Sequence, residues 1–210
     1  MHKRHRQVLA CALLVPAFVL AGCRAVDNAN PAEAAWRTFS PAETAGLVAM
    51  IAGSYSCKNF MESEVTDEMI EQVLLCGAKA PSAMNSQAWH FMVAKNFEMV
   101  KKLASHAKSG CVAIIVSAST KKSLMGVNAA FDSALAAQNI YLAAQSLGLG
   151  AHMYASPLSK IDGEYREALA IPKGYMPQVV ICIGQPEARI DAASSASARD
   201  PLEGKVNYAG

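Results

Sequence analysis

Cys111-Val112-Ala113-Ile114-Ile115-Val116 is a continuous apolar run that follows Gly110. A stretch this short and uniformly apolar reads as a strand buried on both faces, not as the half-polar strand of an open sheet. Gln178-Val179-Val180-Ile181-Cys182-Ile183-Gly184 is a second such run, ended by Gly184 and Pro186. Two doubly buried strands need cover above and below, and the chain has segments that supply it. Ser40-Pro41-Ala42-Glu43 is a helix start with a capping residue, proline in the first turn and a capping-box glutamate. Its helix carries Leu47, Val48 and Ile51 and stops near Gly53. Thr66 caps a second helix, with Asp67 and Glu68 in the first turn and Met69, Ile70, Val73, Leu74 and Ala78 at helical spacing. Asn96 to Ala107 is amphipathic, and Asn128 to Leu147 is a long alanine-rich helix capped by Gly148. Within that last helix Asp132 and Gln138 read as capping or interface hydrogen-bonding groups. Ser156-Pro157 and Asp162 start a short helix containing Tyr165, Leu169 and Ile171. Helices and strands in this order predict an α+β fold, a mixed β-sheet wrapped by helices.

The first residues are set apart from that fold. His2 to Arg6 form a basic start, and Val8 to Leu20 is apolar but short for a membrane span and broken by Pro16. Residues 1–22 therefore read as a signal peptide, 23–39 as a tether and 40–210 as the folded domain. Removing Lys3, Arg4 and Arg6 lowers the basic count from 19 to 16 against 17 acids, so the formal charge passes from +2 to −1. The excess basicity belongs to the leader, and no nucleic-acid footprint remains. At 52% hydrophobic and 17% charged residues the remainder is globular. Cys57, Cys76, Cys111 and Cys182 are scattered, with no CxxC and no metal-ligand spacing. Cys111 and Cys182 lie in the apolar runs and read as core residues.

Between the second helix and the strand that begins at Trp89, Pro81 breaks the helix. Ser82, Asn85, Ser86 and Gln87 then crowd into one loop. Small hydroxyls and amides clamped between apolar elements can present fixed donors and acceptors to a polar ligand. The order Pro81-Ser82-Ala83-Met84-Asn85-Ser86-Gln87-Ala88-Trp89-His90-Phe91 resembles the A-P-S-x-x-N-x-Q-P-W-x-F segment of the nitroreductase family of FMN enzymes, with Ala88 in place of the usual proline. The resemblance spans roughly Ala42 to Val206. Ser54-Tyr55-Ser56-Cys57-Lys58-Asn59-Phe60 stands where the family reads R-R-S-x-R-x-F. Ser56 and Lys58 match, while Ser54 and Tyr55 replace basic residues. Gly148 to Pro157 is similar to the family's L-G-L-G segment, which implies FMN contacts at Met153, Tyr154, Ala155 and Ser156, with the backbone N–H of Ala155 or Ser156 facing flavin N5. His152 reads as a strand residue. Arg199 stands where the family places a basic residue that reaches the FMN phosphate.

The resemblance implies FMN as cofactor, held by Ser56, Lys58, Pro81, Ser82, Asn85, Gln87, Arg199 and the 153–156 backbone. It also implies an intertwined homodimer in which one chain's Pro81–Gln87 loop completes the other's site. The implied activity is electron transfer from a reduced nicotinamide to a small acceptor such as a nitroaromatic or quinone. No catalytic acid–base pair is visible, as expected where the cofactor carries the redox chemistry. Leu20-Ala21-Gly22-Cys23 resembles a bacterial lipobox, which implies lipidation at Cys23, a membrane anchor and a cell-envelope location, where the donor would be a membrane redox partner. Asp191 to Ser197 resembles the motif on which a flavin transferase esterifies FMN, which would make Ser197 the acceptor. A non-catalytic flavin-binding or electron-carrier lipoprotein, and a scaffold that has lost flavin, stay open beside the enzyme.

Overall fold

The computed structural model describes residues 41–121, 123–124, 127–187 and 199–209. Cys23, the tether and Ser197 lie outside them. Five helices occupy the described chain: α1 (Pro41–Ala52), α2 (Asp67–Ala78), α3 (Phe97–Leu103), α4 (Ala129–Ser146) and α5 (Leu158–Asp162). The strands are β1 (Trp89–Ala94), β2 (Val112–Ser119), β3 (Ser123–Leu124), β4 (Val127–Asn128), β5 (Gly150–Tyr154) and β6 (Tyr175–Gly184). Side-chain caps set three of the helix starts. Thr66 Oγ1 accepts from Met69 N–H, Asn96 Oδ1 from Met99 N–H and Asn128 Oδ1 from Ala130 N–H. Each satisfies one of the orphan donors of a first turn.

The main sheet runs β1-β2-β6-β5, with every neighbouring pair antiparallel. Among the described residues the parallel component of the expected mixed sheet is a single bridge, Ser56 to Ala151, on the outer side of β5. The two apolar runs are the central strands β2 and β6. Alternate residues of β2 separate into two cores. Ala113 and Ile115 pack with Val100, Leu103, Ile161 and Leu169, under α3 and α5. Val112, Ile114 and Val116 pack with Val73, Ile140 and Ala144, under α2 and α4. Each fully buried isoleucine contributes about 1.5–3 kcal/mol from its removal from water, so this two-faced burial dominates the stability of the sheet. Helices α2 and α4 approach closely at Gly77, where an added Cβ would lie 2.6 Å from Ile140 Cγ1.

Four local features depart from the sequence pattern. The register of β2 on β6 slips by one residue between Val116 and Ser117, where Ser117 faces Pro177. Pro177 has no N–H to give the ladder, and a bulge absorbs that deficit. The short helix expected to include Tyr165 and Leu169 stops at Asp162. Beyond it, the Arg166 guanidinium donates to the carbonyls of Asp162, Ile171, Pro172 and Tyr175 and pairs with the Asp162 carboxylate. That cation satisfies a turn's carbonyls in place of a helical ladder. Helix α3 ends at Leu103, short of the expected Ala107, because Ala104 is already extended (φ −139°). A short β3–β4 hairpin, with no counterpart in the sequence reading, then leads into α4.

Candidate functional site

The loop between α2 and β1 is an unusual piece of backbone. Met84, Asn85 and Gln87 all have positive φ, at 52°, 53° and 46°. The left-handed region costs an L-residue roughly 1–2 kcal/mol, so these conformations persist only where surroundings fix them. The fixing contacts are present. Ser82 Oγ accepts from Gln87 N–H at 3.0 Å, and Gln87 Nε2 donates to Asn85 Oδ1 at 3.2 Å. The Asp132 carboxylate, in the first turn of α4, accepts from Ala83 N–H at 3.3 Å through both oxygens and from Ser86 Oγ at 3.3 Å. Asp132 is buried, 3% exposed, whereas Pro81, Asn85 and Gln87 are exposed. A buried anchor thus holds an exposed pair of amides. The sequence reading assigned Asp132 a hydrogen-bonding role but not to this loop, 49 residues away.

At the other edge of the sheet, Ser54 to Phe60 lies along β5. Cys57 N–H donates to Ala151 C=O at 2.9 Å, and Phe60 bridges Pro186. Alternation buries Tyr55 and Cys57 and turns Ser56 and Lys58 outward; it breaks at exposed Asn59, and Phe60 is buried. The two substituted positions therefore differ. Tyr55 is 4% exposed and its N–H donates to the buried Gln145 Oε1 at 3.0 Å, so position 55 belongs to the core. Ser54 is half-buried and can face a ligand.

At the end of β5, Ala155 and Ser156 are exposed, and Ala155 C=O accepts from Leu158 N–H as the chain turns into α5. Met153 is partly exposed, on the face toward α4. Tyr154 offers a ligand its backbone only. Its side chain is buried, its hydroxyl accepts from His106 N–H at 3.3 Å and is placed to donate to His106 Nδ1 at 2.8 Å, and burial pushes the phenol up to about 12. His152 lies on the same inner face, 4.5 Å from the Tyr154 ring and 5.3 Å from that of His106. Burial, then His106 and Lys58, hold His152 below the ordinary imidazole range. This is packing geometry, consistent with a strand residue. Arg199 is exposed at the start of the tail, before a turn closed by a Lys205–Asp200 ion pair of 2.7 Å.

Strand register places these pieces. Trp89 faces Ala118, which faces Met176, while Tyr154 faces Val180. The β1 loop and the Ala155–Ser156 turn thus leave toward the same end of the sheet, three inter-strand spacings or about 14 Å apart across the strands and offset along them, because Tyr154 is level with Val180 and not with Met176. Ser56, outside β5, is four spacings or about 19 Å from β1. The donor set suits a flat, polar, anionic cofactor: hydroxyls, amides, one outward lysine and a strained exposed backbone. Ser56, Lys58 and the 155–156 backbone would hold it from one side, and Ser82, Asn85 and Gln87 from the other. Among the described residues no group of three or more His, Cys, Asp or Glu is arranged to hold a metal ion.

Known proteins share the sequence pattern and the fold. The nitroreductase family model matches residues 51–124 and 112–185. A protein of Methanothermobacter thermautotrophicus, named as a candidate NADH dehydrogenase/NAD(P)H nitroreductase, is 34% identical over 139 residues, covering 62% of this chain and 72% of its own length. A similarly named protein of Archaeoglobus fulgidus is 33% identical over 150 residues, covering 68% and 86%. Among solved structures, a nitroreductase with bound FMN from Desulfitobacterium hafniense superposes with a TM-score of 0.63 at 24% identity, over 78% of this chain and 98% of that one. On the matched family model, the curated relatives and the shared fold, the chain belongs to the nitroreductase family.

Proposed function

We propose that the protein is an FMN-dependent oxidoreductase that passes electrons from a reduced nicotinamide or a membrane redox donor to a small acceptor such as a nitroaromatic or quinone. Bound FMN supplies the electron exchange at its N5. The chain's residues bind and orient it. The observation that carries this reading is the Ser82–Asn85–Gln87 loop, held in a left-handed conformation, with its amides exposed at the same end of the sheet as Ala155 and Ser156. Amides in a fixed orientation give paired donors and acceptors to a heterocyclic ring edge. Ser56 and Lys58 supply a hydroxyl and a cation from the opposite edge, and Lys58 would stabilise negative charge on the reduced ring. The backbone N–H of Ala155 or Ser156 is the N5 donor.

Because the loop and the Ser56–Lys58 strand lie on opposite edges of one sheet, the reading includes a homodimer in which each chain completes its partner's site. Lipidation at Cys23 of a mature chain with a tether over residues 23–39 would hold the domain at the cell envelope, and Ser197 is a candidate for covalent FMN. Palmitate-analogue labelling lost in Cys23→Ala supports the first, and an FMN-sized mass adduct supports the second. The absence of either signal removes that element.

The deciding experiment is the absorbance spectrum of full-length protein purified from its native envelope, followed by turnover with NADH, NADPH and artificial donors. Flavin bands with turnover are expected. A protein that lacks those bands, and takes up no added FMN, overturns the reading. The specific observation that favours an electron-carrier lipoprotein instead is the loss of basic side chains at Ser54 and Tyr55; bands without turnover would select it.

A further inference from the structure

Asp132 touches none of the residues proposed to hold FMN through their side chains, yet every one of those in the loop depends on where it sits. The carboxylate is 3% exposed and reaches Ala83 N–H with both oxygens and Ser86 Oγ with one, all at 3.3 Å. Ala83 and Ser86 bracket Met84 and Asn85, two of the three left-handed residues. Ser82 and Gln87, on either side, are tied to each other at 3.0 Å. The anchor is itself rigid. Asp132 stands in the first turn of an 18-residue helix whose next residue, Ser133, donates to Ser117 C=O on β2 at 3.4 Å, and whose Ala136, Ala137 and Ile140 are buried. Hydrogen bonds to an ionised carboxylate are about twice as strong as neutral ones. The loop's internal bonds, Asn85 N–H to Ser82 C=O and Ser86 N–H to Ala83 C=O at 3.0 Å and Gln87 N–H to Ser82 Oγ at 3.0 Å, set its local shape, and Asp132 ties that shape to the core.

We propose that Asp132 is the positioning residue of this loop: it clamps Ala83 and Ser86 to the core so that Ser82, Asn85 and Gln87 are presented in one geometry before any ligand arrives. The proposal rests on the FMN reading above. By the edge-to-edge geometry, the site it serves is the partner chain's, so a defect at Asp132 is felt across the dimer.

The test uses the full-length dimer. In apoprotein, Asp132→Ala should speed amide hydrogen exchange at Ala83–Gln87 by about tenfold or more, while amides of α2 and of the Ile140 turn stay protected. FMN affinity, read by quenching of flavin fluorescence, should fall by about tenfold to a hundredfold. Asp132→Asn keeps one carbonyl acceptor at the same volume and should recover part of both effects. Ser86→Ala, which removes one contact from the loop side, should give a smaller change in the same direction. A residue that served only stability would lower Tm without accelerating exchange in the loop selectively. Should Asp132→Ala not fold, Asp132→Asn and Ser86→Ala decide. A mixed dimer of Asp132→Ala and Lys58→Ala chains should regain one intact FMN site, since only then does an unaltered loop meet an unaltered Lys58; two weak sites would refute the action across the dimer. Wild-type protein that binds no FMN breaks the flavin reading and the proposal with it. Wild-type binding with unchanged exchange and affinity in Asp132→Asn and Ser86→Ala overturns the proposal alone.

Discussion

The α2–β1 loop and the Ser54–Phe60 segment occupy opposite edges of the same sheet and are tied to it by different means. The loop is fixed by side chains: Asp132 on Ala83 and Ser86, Ser82 on Gln87, Gln87 on Asn85. Its backbone is left-handed at three non-glycine positions. The segment is tied down mostly by backbone, through Cys57 N–H on Ala151, Met61 N–H on Gln185 and Glu187 N–H on Asn59, with the Gln145 side chain holding Tyr55 N–H. Backbone fixation tolerates changes of side chain. Side-chain fixation does not. The difference explains how the chain can lose basic residues at 54 and 55 and keep the shape of that edge, while keeping Ser82, Asn85 and Gln87 at their spacing on the other.

The largest expected effect falls on the seam of the backbone-held edge. Gly150→Val places a Cβ 2.5 Å from Cys57 Sγ and 2.8 Å from Cys57 Cβ. It should cost about 2 kcal/mol in overpacking, roughly 5 °C in Tm, read by thermal melting. An unchanged melt would mean this edge is looser than its bridges imply. Next, Asn85→Ala removes the acceptor for Gln87 Nε2 and one exposed amide. FMN affinity should drop about tenfold, worth about 1.4 kcal/mol, with circular dichroism unaltered; flavin held as by wild type would mean the loop is not a flavin element.

Smaller still is a gain. Ser54→Arg restores a cation at the half-buried position and should tighten FMN by about threefold to tenfold in low salt, less in high salt. Tyr55→Arg should instead destabilise, because position 55 is core. Equal behaviour of the two would erase the distinction between them.

The smallest effect concerns His152, on the inner face of β5. Its folded-state pKa is lowered, chiefly by burial and then by His106 and Lys58. The unfolded chain therefore takes up a proton first as pH falls, and stability present above about pH 6.5 is lost below it. His152→Asn should flatten that slope between about pH 7 and 5, by a degree or two in Tm. An unaltered slope would assign it to other groups.

Much of the fold was legible because its signals are local. Thr66, Asn96 and Asn128 announce their helices through bonds two or three residues long. The runs at Cys111 and Gln178 announce central strands through composition. What escaped was decided at a distance. The job of Asp132 is visible only when α4 meets the loop. The end of α5 at Asp162 depends on Arg166 reaching carbonyls as far as Tyr175. The inward turn of Tyr154 depends on His106, 48 residues earlier. Left-handed Met84 and Gln87 carry no glycine to mark them. The candidate site residues were read from their order along the chain, but the separation of the loop from Ser56 and Lys58 across the sheet required the strand order.

A protein under selection for thermal robustness alone would be expected to relax Met84, Asn85 and Gln87 to glycine, since glycine enters the left-handed region without steric penalty. Each such exchange would soften the segment in the unliganded state and raise the entropic cost of capture. On the proposed flavin reading, side chains at these positions trade fold stability for a loop that is ordered before a ligand arrives. Mutational drift in this family member should accordingly be slow in a stretch that, by exposure alone, would look free to vary.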